Sequence, residues 1–144
     1  MRVKDRLEIY ELISKLAITH DTLDKEAYTN LYTEDLKRSN TFKDTETEHR
    51  EGRELSVKTT FERLDMLRGQ GILDRHYYLN PVLEEVTQDD VKGMASFSIL
   101  HQGEDDAHPT LSNAGLVYLR FRRTREGWRI SEFHIKFDIP DPRK

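Results

Sequence analysis

The sequence predicts an α+β fold in which helices come first and long antiparallel strands follow. Three helical segments lie in the first half of the 144-residue chain, and their apolar residues recur at helical spacing. The second half alternates apolar and polar residues around short polar turns, which is typical of strands. This segregation favours helices laid on one face of a curved sheet.

The three helices are predicted from apolar spacing and from residues that begin or end helices. The first covers Val3–His20, where a wide apolar stripe meets no helix breaker. Thr22 or Asp24 caps a short second helix that runs through Tyr32. The third covers Glu54–Arg68 and is closed by two glycines that follow it. Each helix is predicted to turn its apolar residues inward.

The outer strands are predicted from alternation and from the residues that interrupt it. Leu36–Phe42 alternates weakly and predicts a short strand, and the polar run Lys43–Arg53 predicts an exposed loop. Leu111–Thr124 predicts a long strand. Trp128–Asp138 alternates cleanly and is ended by two prolines that follow it.

The central element is a hairpin over Arg75–Gln102 with its turn at Thr87–Asp90. This register places His76 directly opposite His101. Opposed residues have Cβ atoms about 4.5–5.5 Å apart, so two imidazoles could share a small molecule or a proton. Pro81 interrupts the first strand, and a single-residue bulge there would send the two histidines to opposite faces.

Other candidate site residues follow from the same register. Asn80 falls opposite Phe97, on the face that carries His76. Tyr32 and Tyr78 are the tyrosines that we expect to line a pocket, because a phenol hydroxyl can orient a substrate oxygen.

The remaining histidines and the possible metal ligands carry less weight. His20 and Asp21 are interpreted as a helix end, because adjacent helical residues point in different directions. His76, His101 and a carboxylate would resemble a facial triad, but no third ligand has a supporting position. We therefore predict no metal and no cofactor, since an unpaired imidazole already titrates near neutrality.

Composition excludes several classes of protein. Charged and hydrophobic residues each make up 35% of the chain, and the net charge is −4. No basic stripe points to nucleic acid, and no apolar run is long enough to cross a membrane. There is no cysteine, which excludes disulfides and cysteine-ligated zinc. With no signal-peptide core at the N-terminus, we expect a single cytoplasmic domain over residues 1–144.

Several segments resemble one known group of proteins. DRLEIYELI and THDTLDKEAYTNLYTED in the first helices, RHYYLNPVLEEV in the hairpin and EGWRISEF in the last strand resemble the SnoaL-like group of the nuclear-transport-factor-like superfamily. The resemblance spans about Asp5 to Asp138. It implies a cone of three helices wrapped by a strongly bent mixed sheet, with a deep apolar pocket. The group includes cyclases, dehydratases, dehydrochlorinases, isomerases and non-catalytic subunits, so the resemblance implies the fold more narrowly than the reaction.

The dehydratases and dehydrochlorinases of this group can be compared residue by residue. They place a catalytic histidine at the position of His76, and the scytalone dehydratase type has a second pocket histidine that matches His101. Both types carry an aspartate on the first helix as the partner of the first histidine. Alignment places that aspartate at Ile18, so the resemblance implies a site that keeps the histidines, lacks the carboxylate and has Ile18 against the substrate.

The predicted function is that of a cofactor-independent lyase or isomerase acting on a small hydrophobic, aromatic or polyketide-like molecule. His76 would remove or shuttle a proton next to a carbonyl or phenol, and His101 would hold or protonate the developing oxygen. Two alternatives stay open. One is a non-catalytic accessory subunit, like the small subunit of a ring-hydroxylating dioxygenase, and the other is a ligand-binding module without turnover.

The chain is also expected to form a homodimer or a higher homo-oligomer through the outer face of its sheet. Strict alternation puts Phe133, Ile135 and Phe137 on one face of the last strand, with Trp128 and Ile130 on the other. Three helices cannot cover both faces, and exposed apolar surface of that size favours association.

Overall fold

Three helices and one mixed six-stranded sheet make up the fold. The computed structural model describes residues 1–45 and 47–142. Its elements are α1 (Val3–Asp21), α2 (Lys25–Thr29), β1 (Tyr32–Thr41), β2 (Glu48–Glu51), α3 (Arg53–Gly69), β3 (Leu73–Thr87), β4 (Asp90–Gln102), β5 (Thr110–Thr124) and β6 (Gly127–Phe137). The strand order is β2-β1-β6-β5-β4-β3. β1 and β6 run parallel and the other described neighbours run antiparallel. The predicted α+β class is confirmed.

The helices agree with the prediction except at the end of α2. α1 and α3 begin and end within one residue of their predicted bounds. α2 begins after Asp24, whose side chain accepts a hydrogen bond from the Ala27 amide at 3.1 Å. It does not reach Tyr32, which instead begins β1. The Ile130 amide of β6 donates to the Leu31 carbonyl at 2.8 Å, so the backbone is already extended against the sheet at this point.

β2 lies inside the run that the sequence predicts to be a loop. Glu48–Glu51 pairs antiparallel with β1, with His49 opposite Ser39. The strand is short, polar and at the edge of the sheet, so it has no apolar alternation by which to identify it. Gly52, at φ +91°, then turns the chain into α3.

The β3–β4 hairpin has a register that differs from the predicted one. His76 lies opposite Ile99, and His101 lies opposite Asp74. The turn pair Thr87–Asp90 is as predicted, and the shift of two residues accumulates along the hairpin. A shift of two residues preserves the faces of a strand, so His76 and His101 still share a face although they are not opposed.

Two irregularities produce this shift. The first lies between Leu79 and Val82 and the second between Glu85 and Thr87. Asn80, at φ +55°, and Pro81 occupy the first, because proline cannot donate to a ladder and asparagine tolerates the left-handed region. One bulge alone would have separated the histidines, whereas two bulges restore the alternation.

β6 contains a bulge that the sequence did not predict. Ile130 pairs with Phe121 and Glu132 pairs with Arg120, which leaves Ser131 as an extra residue. The apolar residues on both sides of it therefore turn to one face, and all five are buried: Trp128, Ile130, Phe133, Ile135 and Phe137. The predicted division of these residues between two faces is wrong, because one extra residue inverts the alternation after it.

The core lies between this face of the sheet and the helices. α1 contacts β3 and β6, and α3 contacts β1. Burying each large apolar side chain here contributes about 1.5–3 kcal/mol. The Asp5 carboxylate of α1 fixes the helix to the β5–β6 hairpin, accepting hydrogen bonds from Trp128 Nε1 at 3.0 Å and from Arg123 at 2.9 and 3.1 Å. Within the described residues, no helix is long and apolar enough to cross a membrane.

Candidate functional site

The candidate site is built around a carboxylate–imidazole pair between α1 and β3. Asp21 is the last residue of α1. Its Oδ1 lies 2.8 Å from His76 Nδ1, and its Oδ2 accepts a hydrogen bond from the His76 amide at 2.8 Å. Only 8% of the Asp21 side chain and 9% of the His76 side chain are exposed. Two contacts from one carboxylate fix both the backbone and the ring of His76.

The end of α1 is shaped so that Asp21 reaches the sheet. Leu23 adopts φ +59° and takes the chain away from the helix axis. Arg68, in the last turn of α3, donates to the Asp21 carbonyl at 2.9 Å. This contact satisfies one of the carbonyls that a helix leaves without a partner at its C-terminus. α3 therefore holds the backbone of Asp21 while the side chain faces β3.

The charge of Asp21 and the tautomer of His76 follow from these hydrogen bonds. Burial opposes ionisation of Asp21, but hydrogen bonds from His20 and from the ring and amide of His76 outweigh it and hold the pKa of Asp21 well below its usual range. An ionised carboxylate can only accept hydrogen bonds. His76 must therefore carry its proton on Nδ1 when neutral, which leaves Nε2 as the basic nitrogen.

His20 is the second imidazole at this carboxylate. Its Nδ1 lies 3.0 Å from Asp21 Oδ1, and its ring centroid lies 4.0 Å from that of His76. Burial lowers the pKa of His20, the hydrogen bond to Asp21 partly opposes this, and the neighbouring His76 lowers it further. This lowered pKa favours the neutral form of His20 beside His76. The His20 ring also contacts Tyr28, whose ring centroid lies 6.0 Å from that of His20.

The carboxylate partner that appeared to be missing is therefore present. The resemblance placed the aspartate at Ile18, but the Ile18 side chain is 63% exposed, and Asp21 makes the contact instead. His20 and Asp21 do end α1, as interpreted, but Asp21 also contacts His76 on β3. Adjacent residues of a helix do point in different directions, but at its last turn two such side chains can meet a third group on another element. The adjacent acid and base at the end of α1 were the signal.

His101 lies on the face of His76 but one pair further along the hairpin, opposite the buried Asp74. Diagonal neighbours of this kind are about 7–8 Å apart at the backbone. His101 Nε2 is buried without a hydrogen-bond partner among the described residues. Burial lowers the pKa of His101, and Asp74 partly opposes that shift.

Aromatic side chains surround the pair. Phe97 lies between His76, at a centroid distance of 6.0 Å, and Tyr78, at 5.4 Å. Tyr32 is buried and donates a hydrogen bond to Tyr28 Oη at 2.9 Å. Burial raises the pKa of Tyr32 and of Tyr78 far above the usual value, so both phenols stay protonated.

Asn80 does not join this cluster. The prediction placed it opposite Phe97, but Tyr78 holds that position. Asn80 is exposed and lies in the first irregularity of β3, so its predicted pairing with Phe97 is wrong, and its role in substrate binding stays a prediction. The three aromatic residues proposed with it, Tyr32, Tyr78 and Phe97, lie within the cluster around the pair.

The same cluster offers the donor set of a metal site. Donor atoms of His20, Asp21 and His76 lie within 4.8 Å of one another, and two imidazoles with a carboxylate suit zinc or non-haem iron. Both imidazole Nδ1 atoms, however, already lie at hydrogen-bonding distance from one carboxylate oxygen. A metal that bound these two nitrogens would have to displace their hydrogen bonds to Asp21. That no metal is needed stays a prediction.

Two clefts open elsewhere on the described surface. One, of about 510 Å³, includes Lys37, Arg120 and Glu132 in its lining. The other, of about 460 Å³, lies beside Arg53 and Arg129. Neither is lined by His76 or Asp21. The deep apolar pocket implied by the resemblance stays a prediction.

The arrangement of elements is that of the nuclear-transport-factor-like, or cystatin-like, class. An NTF2-like protein with a cystatin-like fold from Novosphingobium aromaticivorans superposes with a TM-score of 0.76 at 21% identity, covering 94% of this chain and 82% of that chain. LinA gives 0.75 at 20% identity, with 98% and 92% covered. The β subunit of the benzoate 1,2-dioxygenase from Burkholderia mallei gives 0.76 at 14% identity, with 96% and 93% covered.

Within this class the family is defined by sequence. The family model of the SnoaL-like domain matches residues 1–134, and the chain belongs to that family. Among curated protein sequences, none matches the chain significantly. At sequence identities this low, the structural similarity establishes the fold and nothing more, because one fold serves many reactions.

Proposed function

We propose that this protein is a cofactor-independent lyase or isomerase that acts on a small hydrophobic, aromatic or polyketide-like molecule. The observation that carries the proposal is the Asp21–His76 pair, a buried carboxylate that fixes the tautomer of an imidazole among aromatic side chains. Carboxylate-oriented imidazoles of this kind serve as general bases. The attraction between an ionised carboxylate and an imidazolium is stronger in apolar surroundings than in water, because charge is poorly screened there.

In the proposed reaction His76 Nε2 accepts a proton from a carbon next to a carbonyl. The electron pair of the broken C–H bond forms a new C=C bond, and in an elimination the leaving group departs with its own electron pair. The imidazolium then gives its proton to the departing hydroxide, which leaves as water. In an isomerisation the same proton returns to a different carbon. Asp21 stabilises the imidazolium throughout without accepting the proton.

His101 is proposed to bind the oxygen on which negative charge develops. Its buried Nε2 has no hydrogen-bond partner among the described residues, and burial lowers its pKa so that the neutral form is favoured. A neutral imidazole can donate one N–H to an oxyanion. We expect the loss of this donor to slow the reaction less than the loss of the base, because the base alone starts the reaction.

The test is turnover of a panel of cyclic β-hydroxyketones and enones, followed by ultraviolet absorbance and by proton exchange in deuterium oxide. We expect His76→Ala to lose about 100-fold or more in rate, the usual contribution of a positioned base, and His101→Ala to lose less. His108→Ala is the matched control, because His108 is exposed. Addition of a chelator is expected to leave the rate unchanged. A folded His76→Ala protein with the full wild-type rate would contradict the proposal.

A second candidate is a non-catalytic subunit, because β subunits of ring-hydroxylating dioxygenases share the fold. Such a subunit would copurify with a Rieske-type large chain and would show no turnover alone. A ligand-binding module would bind members of the panel without converting them. The Asp21–His76 pair favours the enzyme, since neither alternative requires an oriented base.

A further inference from the structure

Arg38 is a charged side chain on the inner face of β1 whose partners are not charged. Its Nη1 donates to Tyr28 Oη at 3.2 Å and to Thr60 Oγ1 at 3.3 Å. Its Cζ lies 4.6 Å from the centroid of the Phe133 ring. Its Nε is buried and has no hydrogen-bond partner in the part of the chain that the structure describes. Within residues 1–45 and 47–142, no carboxylate oxygen forms an ion pair with it.

Two other partly buried arginines are paired with carboxylates. Arg123 makes two hydrogen bonds to Asp5, and Arg68 Nη2 lies 3.8 Å from Asp74 Oδ1. A guanidinium stays charged at all accessible pH values. Removing such a charge from water without a counterion carries a penalty of several kcal/mol, which phenols and an aromatic face offset only in part. A bound anion would therefore supply the counterion that Arg38 lacks among the described residues.

Arg38 also belongs to the cluster that contains the base. One series of contacts runs from His76 through the rings of His20 and Tyr28 to the Arg38 guanidinium. A second series returns from Arg38 through Phe133, Tyr78 and Phe97 to His76, with centroid distances of 6.2, 5.4 and 6.0 Å between successive rings. The base and the cation thus belong to one connected cluster of mainly aromatic side chains.

The donors around Arg38 suit a carboxylate. The Nε and Nη2 groups form one edge of the guanidinium fork, and neither makes a hydrogen bond to a described residue. That edge matches the two oxygens of a carboxylate. Tyr28 Oη accepts hydrogen bonds from Arg38 and Tyr32, so its own proton remains available to donate. Because solvent does not reach Nε, a ligand that contacts it displaces a neighbouring side chain on entry.

We propose that Arg38 binds the carboxylate of the substrate, which makes the substrate of this site a small ring-bearing organic acid. The assignment rests on the proposed function for the reaction, but anion binding can be measured without turnover. The carboxylate at Arg38 would place the ring against Phe133, Tyr78 and Phe97, whose contacting side chains must move apart to admit it. The far side of the molecule, which carries the acidic C–H bond, would then face His76.

The test is calorimetric titration with benzoate and 2-naphthoate, each compared with its neutral amide. We expect the wild-type protein to bind at least one acid ten-fold or more tightly than the corresponding amide. Arg38→Met keeps an unbranched, flexible side chain but removes the guanidinium and its charge, and it should abolish that preference. Arg2→Met is the matched control, because the Arg2 side chain is 83% exposed, and it should bind like the wild type.

Circular dichroism and thermal unfolding verify that each variant is folded. Arg38→Met should be as stable as the wild type or more stable, because it removes a buried charge without a counterion. Arg38→Lys is the second variant, since it keeps a charge but loses the fork, and it should keep only part of the preference. Equal binding of acid and amide by the wild type would overturn the inference. So would acid binding by Arg38→Met that equals the wild type, or no acid binding by the wild type at millimolar concentration.

A further variant separates this inference from the proposed reaction. His76→Gln should retain acid binding within a few-fold of the wild type while it loses turnover. If acid binding depends on Arg38 but turnover does not depend on His76, the reaction is wrong and the substrate class stands. If turnover depends on His76 but acid binding does not depend on Arg38, the reverse holds.

Discussion

Asp21 links the last turn of α1 to β3 and accepts hydrogen bonds from two imidazoles and one amide. This one carboxylate sets the tautomer of His76 and keeps His20 beside it. Removing a single partner of such a network leaves the remaining groups buried and unsatisfied. The proposed chemistry therefore depends on Asp21 as much as on His76.

The buried histidines predict how stability depends on pH. The pKa values of His20 and His101 are lowered on folding, mainly by burial, so the unfolded chain binds more protons than the native state below the ordinary histidine pKa of about 6.5. Their contribution is present above that value and is lost as the pH falls through the folded values. We expect the free energy of unfolding, measured in urea, to decrease as the pH falls from about 7 to about 5.

His101→Gln should decrease that slope, because it removes one of the two groups. His49→Gln is the control, since His49 is exposed, and its slope should equal that of the wild type. A His101→Gln protein with the wild-type slope would contradict the assignment of a lowered pKa to His101.

At the scale of elements, the bulges decide which side chains meet. Long helices and strands could be predicted because many residues repeat one signal, whereas a bulge is a single extra residue without a signal of its own. In β6 the single extra residue Ser131 inverts the alternation of the residues that follow it. His76 could be predicted as a site residue from its place in the hairpin. Asp21 could be suspected because His20 precedes it, but its contact with His76 could not be predicted, because that contact depends on how the end of α1 meets β3.

Deleting Ser131 tests the role of the bulge in β6. Without it, Phe133, Ile135 and Phe137 would turn to the opposite face or the pairing with β5 would slip, so we expect the deletion to abolish cooperative unfolding. Ser131→Ala is the matched control. It loses only the 3.3 Å hydrogen bond to the Arg120 carbonyl and should cost about 1 kcal/mol or less. A deletion variant with a wild-type thermal transition would show that the bulge has no structural role.

At the scale of the whole molecule, one face of the sheet packs against the helices and the other carries apolar residues of its own. Apolar residues exposed on this outer face of β3, β4 and β5 include Tyr77, Leu79, Met94, Leu116 and Tyr118, whose exposed fractions are 37–49%. Leu79 and Leu116 both lie opposite Ser96, and Met94 lies opposite Tyr118. These residues give the predicted self-association an exposed apolar surface. The β6 residues from which it was predicted are buried.

We propose that copies of this chain associate through these outer-face residues. Light scattering at micromolar concentration should give a mass of two chains or more for the wild type, and Tyr118→Lys should shift it to one chain. Met66→Lys is the control, because Met66 is at least as exposed as Tyr118 but lies on α3. A wild-type mass of one chain under these conditions would contradict the proposal.

The tautomer of His76 tests the central claim most directly. Nitrogen-15 NMR of the wild-type protein near neutral pH distinguishes a protonated Nδ1 from a protonated Nε2. If Asp21 orients the base, neutral His76 carries its proton on Nδ1, and the Asp21→Asn variant loses this preference together with about 100-fold or more of the turnover rate. A neutral wild-type His76 that carries its proton on Nε2 would contradict the Asp21–His76 pair as the catalytic base.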